Sequence, residues 1–453
     1  MGGFNSFTIG ASGLRSFNYY QEVIGSNISN LSNPAYKRRE VILEPLHGND
    51  QVYMGAKFAG AKRIVDYFLE KSVRSSISDF EKNNYLNNIL PEIEDKISVL
   101  NENSIYSYLN LFWQALNDLS QNPSNISLRN ILLNRATSLA DKINSSINDY
   151  ELLSQKIIQD ARKSVDYINQ KLKDIAILNK SIKDIETSGN EANSLKDKRD
   201  YIVEEISKYI DVDVYENIEG YVLDINGITL VYGDKNFDIE FEYTINPQKN
   251  IIYSIPSFGK DIKISNGILQ GYQIAIKEVE EINLKIKSFL DFLTDSSNSS
   301  FNSIHRNGYN LDGLSSGLDF FVKNSKGEIK INESILLDPS SFAASKTPYE
   351  GDGDNCISMA DFLKSGVIEG KNCFDYFSEL SSDLGFKVNN AKNNLKISES
   401  IKVSAMNRRD SISGVSVDEE MMKLLEIQKY YSVMAKYINI SNSMIEDLIN
   451  IIR

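Results

Sequence analysis

Between Ser411 and Arg453 an apolar residue recurs at every seventh position: Val417, Leu424, Tyr431, Ile438, Ile445 and Ile452. Seven residues make two helical turns, so these side chains form one seam along a helix. A second row, Tyr430, Tyr437, Met444 and Ile451, and a third, Ile427, Met434 and Leu448, lie on other parts of the same cylinder. A helix apolar on several sides needs partners that enclose it. This one occupies the last stretch of the sequence, where chains ordinarily fray. The expectation is a helix that finishes folding only against copies of the same chain.

The first thirty residues repeat the pattern. Phe7, Leu14 and Ile28 share one seven-residue row, interrupted by Gln21, and Phe17, Ile24 and Leu31 share another. Gly10, Ala11 and Gly13 are small enough to admit another backbone. Asn33-Pro34 stops the helix, because proline disfavours α geometry in the residue before it. On the pattern alone, these two helices could equally pair with each other as an antiparallel coiled coil.

Composition narrows the partners. The 453 residues have room for two to four domains. A net charge of −13 argues against nucleic acid, which needs clustered Lys and Arg. The nearest thing to a basic patch is Lys37-Arg38-Arg39. No apolar run reaches the roughly 18 residues of a membrane span, so membrane insertion is not expected. The N-terminus lacks the marks of a cleaved signal peptide. Cys356 and Cys373 are the only cysteines and form no CxxC. The abundance of Asn and Ser reads as compositional bias.

The expected fold is mainly α with an inserted small β domain. Asp66 to about Ile185 is helical, with Ile147, Ala161, Ile168, Ile175 and Ile182 on one heptad row and Ile143, Tyr150, Ile157, Leu178 and Ile185 on its companion. Ser154, Ser164 and Lys171 are lapses in that stripe. Asn122-Pro123-Ser124-Asn125 breaks the helices and offers Ser124 or Asn125 as an N-cap. Near Ile210 the period changes to short alternating runs split by Glu219-Gly220 and Asn226-Gly227, the latter a hairpin signal. The expected organisation is a terminal helical core (1–60 and 405–453), a mainly helical middle domain (61–208 and 267–404) and a β-rich insertion (209–266). Within the middle domain, 294–370 reads as irregular and rich in Ser, Asn and Gly.

Chemistry is sparse. His47 and His305 have no neighbouring Cys or His and read as solvated loop residues. Gly351-Asp352-Gly353-Asp354-Asn355 lacks the glycine and terminal glutamate spacing of a calcium loop. P-loop, GxGxxG, GxSxG and HExxH motifs are absent. Glu419-Glu420 read as a macrodipole complement to the closing helix. No catalytic residue, metal or cofactor is expected.

The termini resemble a known family. Ile24-Gly25-Ser26-Asn27-Ile28-Ser29-Asn30, followed by Asn33-Pro34-Ala35-Tyr36-Lys37-Arg38, is similar to the N-terminal signature of bacterial flagellar rod, hook and hook-associated proteins. Ser411-Ile412-Ser413-Gly414-Val415, Asp418-Glu419-Glu420, Gln428-Lys429-Tyr430-Tyr431 and Leu448-Ile449-Asn450-Ile451 resemble the C-terminal signature, and the SxSGV start favours the hook–filament junction branch. Asn122-Pro123-Ser124 with Arg129, Leu195 to Asp200, Gly267 to Gly271, Asn307 to Gly313 and Gly353-Asp354-Asn355 extend the likeness in collinear order.

The resemblance implies a non-enzymatic junction subunit, exported without a cleaved signal to the extracellular flagellum. Its assembly interface would comprise Phe7, Leu14, Phe17, Ile24, Ile28, Leu31, Val417, Leu424, Tyr431, Ile438, Ile445 and Ile452. The implied partners are copies of itself in a helical array, the hook protein, the adjoining second junction protein on the filament side, and a cytosolic export chaperone. That chaperone would contact Leu424, Tyr431 and Ile438. A hook or distal-rod subunit, or a secreted coiled-coil adhesin or effector, stands as the alternative.

Overall fold

The computed structural model describes residues 2–47, 53–244 and 250–452, excepting the side chains of 2–5, 53, 244, 250, 258 and 452. Helix α1 (Gly2–Ser29) leads into a hairpin of β1 (Arg39–His47) and β2 (Tyr53–Arg63). Helices α2 (Tyr67–Asp95), α3 (Ile105–Gln121), α4 (Ile126–Thr187) and α5 (Asn193–Ser207) follow. A β region then carries β3 (Asp213–Asn217), β4 (Gly220–Ile225), β5 (Ile228–Tyr232) and β6 (Lys235–Asn236) in one antiparallel sheet, and β7 (Glu240–Thr244), β8 (Asn250–Ile255) and β9 (Lys260–Ile262) in another. Next come α6 (Ile268–Thr294), α7 (Phe301–Arg306), β10 (Phe321–Lys323), β11 (Ile329–Ile331), α8 (Glu333–Leu337) and α9 (Asp354–Ser365). Helices α10 (Cys373–Ser413) and α11 (Val417–Ile452) end the chain.

The mainly helical class with small sheets is as the periodicity indicates. The spine is α4, whose 62 residues extend about 90 Å at 1.5 Å per residue. Asn125 caps it, accepting from Ser127 N and Leu128 N. Ile143, Tyr150, Ile157, Ala161, Ile168, Ile175, Leu178 and Ile182 are buried in one continuous core with α3 and α6. Two lapses in the stripe are buried and bonded: Ser154 Oγ donates to Glu280 Oε1 at 2.8 Å, and Ser164 pairs with Tyr272 Oη at 3.2 Å. The turn expected at Asn226-Gly227 joins β4 to β5, with positive φ at both residues.

Several asparagines set aside as compositional bias turn out to be fasteners. Asn144 donates to Ile329 O and accepts from Ile329 N, and Asn169 does the same with Ile239. Asn179 donates to Tyr221 O and Gly233 O while accepting from Tyr221 N. A side-chain amide carries the same donor–acceptor pair as a peptide, so one Asn on a helix stands in for one residue of a neighbouring strand. Each therefore stitches α4 to a strand or its flank without leaving an edge unpaired.

The 294–370 stretch is a packed core segment and not merely an irregular one. Phe301, Phe320, Phe321 and Phe342 are fully buried. Arg129, also fully buried, donates from Nε to Pro123 O at 2.8 Å and from Nη1 to Phe342 O at 2.6 Å, tying the 122–125 turn to the far end of this segment. His305 corrects the reading of it as a solvated residue: it is completely buried, Nδ1 meets Leu318 O at 2.7 Å, and Ala343 N donates to Nε2 at 3.1 Å. That pairing requires the neutral Nδ1–H tautomer, and burial lowers its pKa to about 4. His47, at the end of β1, is exposed.

Gly267 opens the return from the β region. Its φ of +84 is left-handed, and a Cβ would lie 2.2 Å from Tyr209 O. Only glycine admits that approach, which lets Ile268 N and Leu269 N donate to Lys208 O and Tyr209 O.

Candidate assembly site

The terminal helices α1 and α11 pack against each other in antiparallel register. Phe17 stacks with Tyr430 at 6.1 Å, and Asn27 meets Glu420 across the other end. Gly10 lies beneath Ile438, where a Cβ would fall 2.4 Å from Cγ1, and Gly13 lies beneath Met434. Small residues on α1 thus let the larger side chains of α11 seat on its backbone. The pairing open at the level of sequence is the one within the chain.

That pairing covers one side of α11 only. Glu420, Ile427 and Ser441 are buried, and Leu424, Met434, Ile438 and Ile445 are half-buried. On α1, Ile24 is buried, while Leu14, Phe17 and Ile28 are half-buried. Phe7 and Leu31 are exposed, as are Val417 and Tyr431, and the side chain of Ile452 lies outside the described residues. The strict seven-residue row is therefore split between an inner and an outer face. The second row is covered only at its start, where Tyr430 stacks on Phe17 and Tyr437 lies beside Gly10: Tyr430, Tyr437, Met444 and Ile451 are 45%, 37%, 63% and 80% exposed.

The hairpin of β1 and β2 adds a pair of strands to the terminal segment 1–60, whose sequence pattern shows only the helix that ends before Pro34. It lies on α1 with its small residues inward: Gly55 approaches Ser12, Ser16 Oγ donates to Ala56 O, and Tyr19 stacks on Phe58 at 4.3 Å. Glycine and alanine at these positions dilute the strand pattern of the sequence while permitting the close contact.

A dense polar joint binds this terminal unit to the rest of the molecule. Asn27, 1% exposed, donates to Arg39 O at 3.0 Å and Glu420 Oε2 at 2.9 Å. It accepts from Arg39 N at 3.0 Å and Tyr36 Oη at 2.7 Å, so its four hydrogen-bonding positions are all used. The three basic residues after it reach three different elements. Lys37 pairs with buried Glu70 on α2, Arg38 with Glu419 on α11, and Arg39 with Asp197 on α5. Arg63 joins Asp197 at 2.8 Å and also contacts Asp200. Arg409 on α10 pairs with Glu204 at 2.8 Å.

Four largely buried cations thus meet four carboxylates, the arrangement that makes buried charge tolerable. Even so, burial holds the Asp197 carboxyl above its usual range, against the pull of Arg63 and Arg39. The basic triplet is a structural clasp. Glu419 and Glu420 are likewise more than macrodipole complements, since one pairs with Arg38 and the other receives Asn27. Sequence reasoning missed the roles of Asn27, Glu70, Arg63, Glu204 and Arg409 because most of their partners come from other elements, up to 393 residues away.

Among the described residues, no group of three or more His, Cys, Asp or Glu side chains is placed to hold a metal. Asp352, in the acidic turn, spends its carboxylate on Lys346 N, Thr347 N, Thr347 Oγ1 and Asp354 N. Cys356 and Cys373 are free and buried, and burial pushes each thiol up to about 12. Within the described residues, no helix is long and apolar enough to cross a membrane.

Comparison with known proteins gives this architecture relatives. Residues 90–321, just over half of the chain, match the flagellar hook-associated protein FlgK helical domain, and residues 408–451 match the flagellar basal body rod FlgEFG protein C-terminal family. Flagellar hook-associated protein 1 of Bacillus subtilis (strain 168) is 24% identical, with 94% of each chain covered. The protein of that name from Salmonella typhimurium is 23% identical, over 97% of this chain and 98% of that one. Among solved structures, the flagellar hook junction protein FlgK from Burkholderia pseudomallei aligns at a TM-score of 0.48 and 18% identity, over 56% of this chain and 47% of that one. With the domain match spanning more than half of its residues, the chain belongs to the flagellar hook-associated protein FlgK family.

Proposed function

We propose that this chain is a non-enzymatic structural subunit of the bacterial flagellum, forming the junction between hook and filament. Its relatives are named flagellar hook-associated protein 1, and they align along nearly their whole length. The observation that carries the mechanism is the exposed row Tyr430, Tyr437, Met444 and Ile451, open most at Met444 and Ile451, on a helix already paired with α1. Full burial of such side chains is worth about 1.5–3 kcal/mol each, so neighbours that enclose the row gain several kcal/mol. Subunits related by rotation and rise meet through heterologous contacts and build an open array. The adjoining partners in this reading are copies of itself, the hook protein and the second junction protein, outside the cell.

In the same reading, 1–60 and 405–453 form the axial unit, 61–208 and 267–404 the middle domain and 209–266 the outer insertion. The export chaperone meets Leu424, Tyr431 and Ile438. Because Ile438 seats on Gly10 of α1, chaperone capture and the α1–α11 pairing exclude each other at that position.

Two double variants test the reading. Leu424→Asp with Ile438→Asp should break the internal pairing, chaperone capture and incorporation together, with the middle domain still folded. Met444→Asp with Ile451→Asp should leave the α1–α11 pair intact yet stop incorporation into flagella. Normal filament attachment in cells making only the second variant would refute the assembly role of the exposed row.

A further inference from the structure

The hairpin leaves a short, specific stretch of strand edge open. Ile64 N donates to Arg38 O, and Asn27 takes both the N–H and the C=O of Arg39, so Arg39 directs its backbone away from β2. The register shift between Ile42 and Leu43 places its extra residue, Ala59, on β2, so alternation along β1 continues and turns Val41, Leu43 and Pro45 outward as well. At Ala61, opposite Val41, the other edge of the hairpin is closed: Glu191 accepts from Ala61 N, and Asn193 donates to Ala61 O. On the β1 side, Asn27 closes one end of the edge, and Pro45 has no N–H to offer at the other. Between these stops lie the outward N–H and C=O groups of Val41 and Leu43, which meet no partner among the described residues.

These groups face a groove and not open solvent. A cleft of about 350 Å³ separates the β1 edge from α11, floored by Phe17, Tyr20 and Ile24 of α1 and walled by Ile427 and Tyr430. It combines an unpaired strand edge, an apolar floor and a rim bearing Arg39, Glu40, Lys423 and Glu426. Those are the requirements for adding a strand: main-chain groups bind it, and the floor takes alternate side chains. Native sheets usually blunt such edges. Here the blunting is applied at both ends of a two-residue window and omitted within it.

We propose that this window is a strand-addition site occupied by an extended segment of a second copy of the chain. The choice of occupant follows from continuity: Tyr430 both walls the groove and begins the exposed row, so a copy that covers the row reaches the mouth of the cleft. The proposal rests on the assembly reading above, and the experiment separates the two. Full-length chain carrying the photo-crosslinker p-benzoylphenylalanine at Leu43 is expressed in cells that build flagella, and the isolated flagella are irradiated. The expected product is a covalent dimer of this chain, with the adduct mapped by mass spectrometry to an extended segment.

In parallel, Leu43→Pro is compared with Leu43→Ala. Both trim the side chain, but only proline removes the outward N–H, which the hairpin ladder does not use. Incorporation should fall roughly three- to tenfold further for proline, the factor for one net main-chain hydrogen bond. Incorporation without any adduct at Leu43, or an adduct with a different subunit, overturns strand addition between copies while leaving the assembly role standing. Normal filament attachment by the Met444→Asp, Ile451→Asp variant overturns both. Should Leu43→Pro melt below Leu43→Ala in purified form, the crosslinking result decides alone.

Discussion

Replacing Asn27 by aspartate tests the polar joint with almost no change of shape. The Oδ1 acceptor survives, so Arg39 N and Tyr36 Oη keep their partner. Both donors are lost. One served Arg39 O, a neutral bond worth about 1 kcal/mol net, and the other served the Glu420 carboxylate, worth about 1.5–3 kcal/mol. In their place stands a carboxylate about 3 Å from another, with Glu420 only 1% exposed. At an effective dielectric of about 20, two such charges repel by about 5 kcal/mol, an upper bound that protonation of either group relieves. The expected cost at pH 7 is therefore about 3–5 kcal/mol.

The loss should be local. Amide hydrogen exchange is the suitable assay, because the joint opens without unfolding the core built on α3, α4 and α6. Protection should drop for amides in 36–42 and 418–424 and persist in α4. Asn27→Ala, which removes the bonds without adding a charge, should cost less at pH 7, and the two variants should converge at acid pH as one carboxyl of the pair takes a proton. Protection in Asn27→Asp within about 0.5 kcal/mol of the parent chain would refute the assignment of Asn27 as the hub of the joint.

Two further expectations concern the middle domain. Arg129→Lys keeps the charge but not the geometry that reaches Pro123 O and Phe342 O together, and should lower stability by about 2–3 kcal/mol in urea titration. His305 is held neutral, with a pKa of about 4 against an ordinary 6.5, so the unfolded chain binds the proton first. Its contribution is full above pH 6.5 and is lost as pH falls toward 4, amounting to about 3 kcal/mol across that window. His305→Gln should flatten this part of the stability–pH curve relative to the parent, and parallel curves would contradict it.

Local pattern carried much of the architecture. The seven-residue rows of α4 and α11, the proline stop after α1, the cap at Asn125 and the Asn226-Gly227 turn are all consequences of spacing within a few turns of chain. Periodicity records which faces are apolar, and near neighbours alone decide where a helix starts or stops. The signature residues Ile24 to Asn30 and Asn33 to Arg38 pointed to the family, and Asn27 within them has a physical reason visible only in three dimensions.

What the sequence determined by itself was the set of apolar helix faces and the class of molecule that needs them. What it could not determine was which partner each face would take. Whether α11 would meet α1 or another chain depended on glycines 10 and 13 arriving opposite Met434 and Ile438, more than 400 positions away. The clasp of Lys37, Arg38 and Arg39 depended likewise on Glu70, Glu419 and Asp197 converging from three helices. A charge has no periodicity to betray its partner, and a weak strand such as β2 is held by the small residues that erase its pattern. Tertiary packing alone settled those, because only there do residues remote in sequence share a distance short enough for a hydrogen bond.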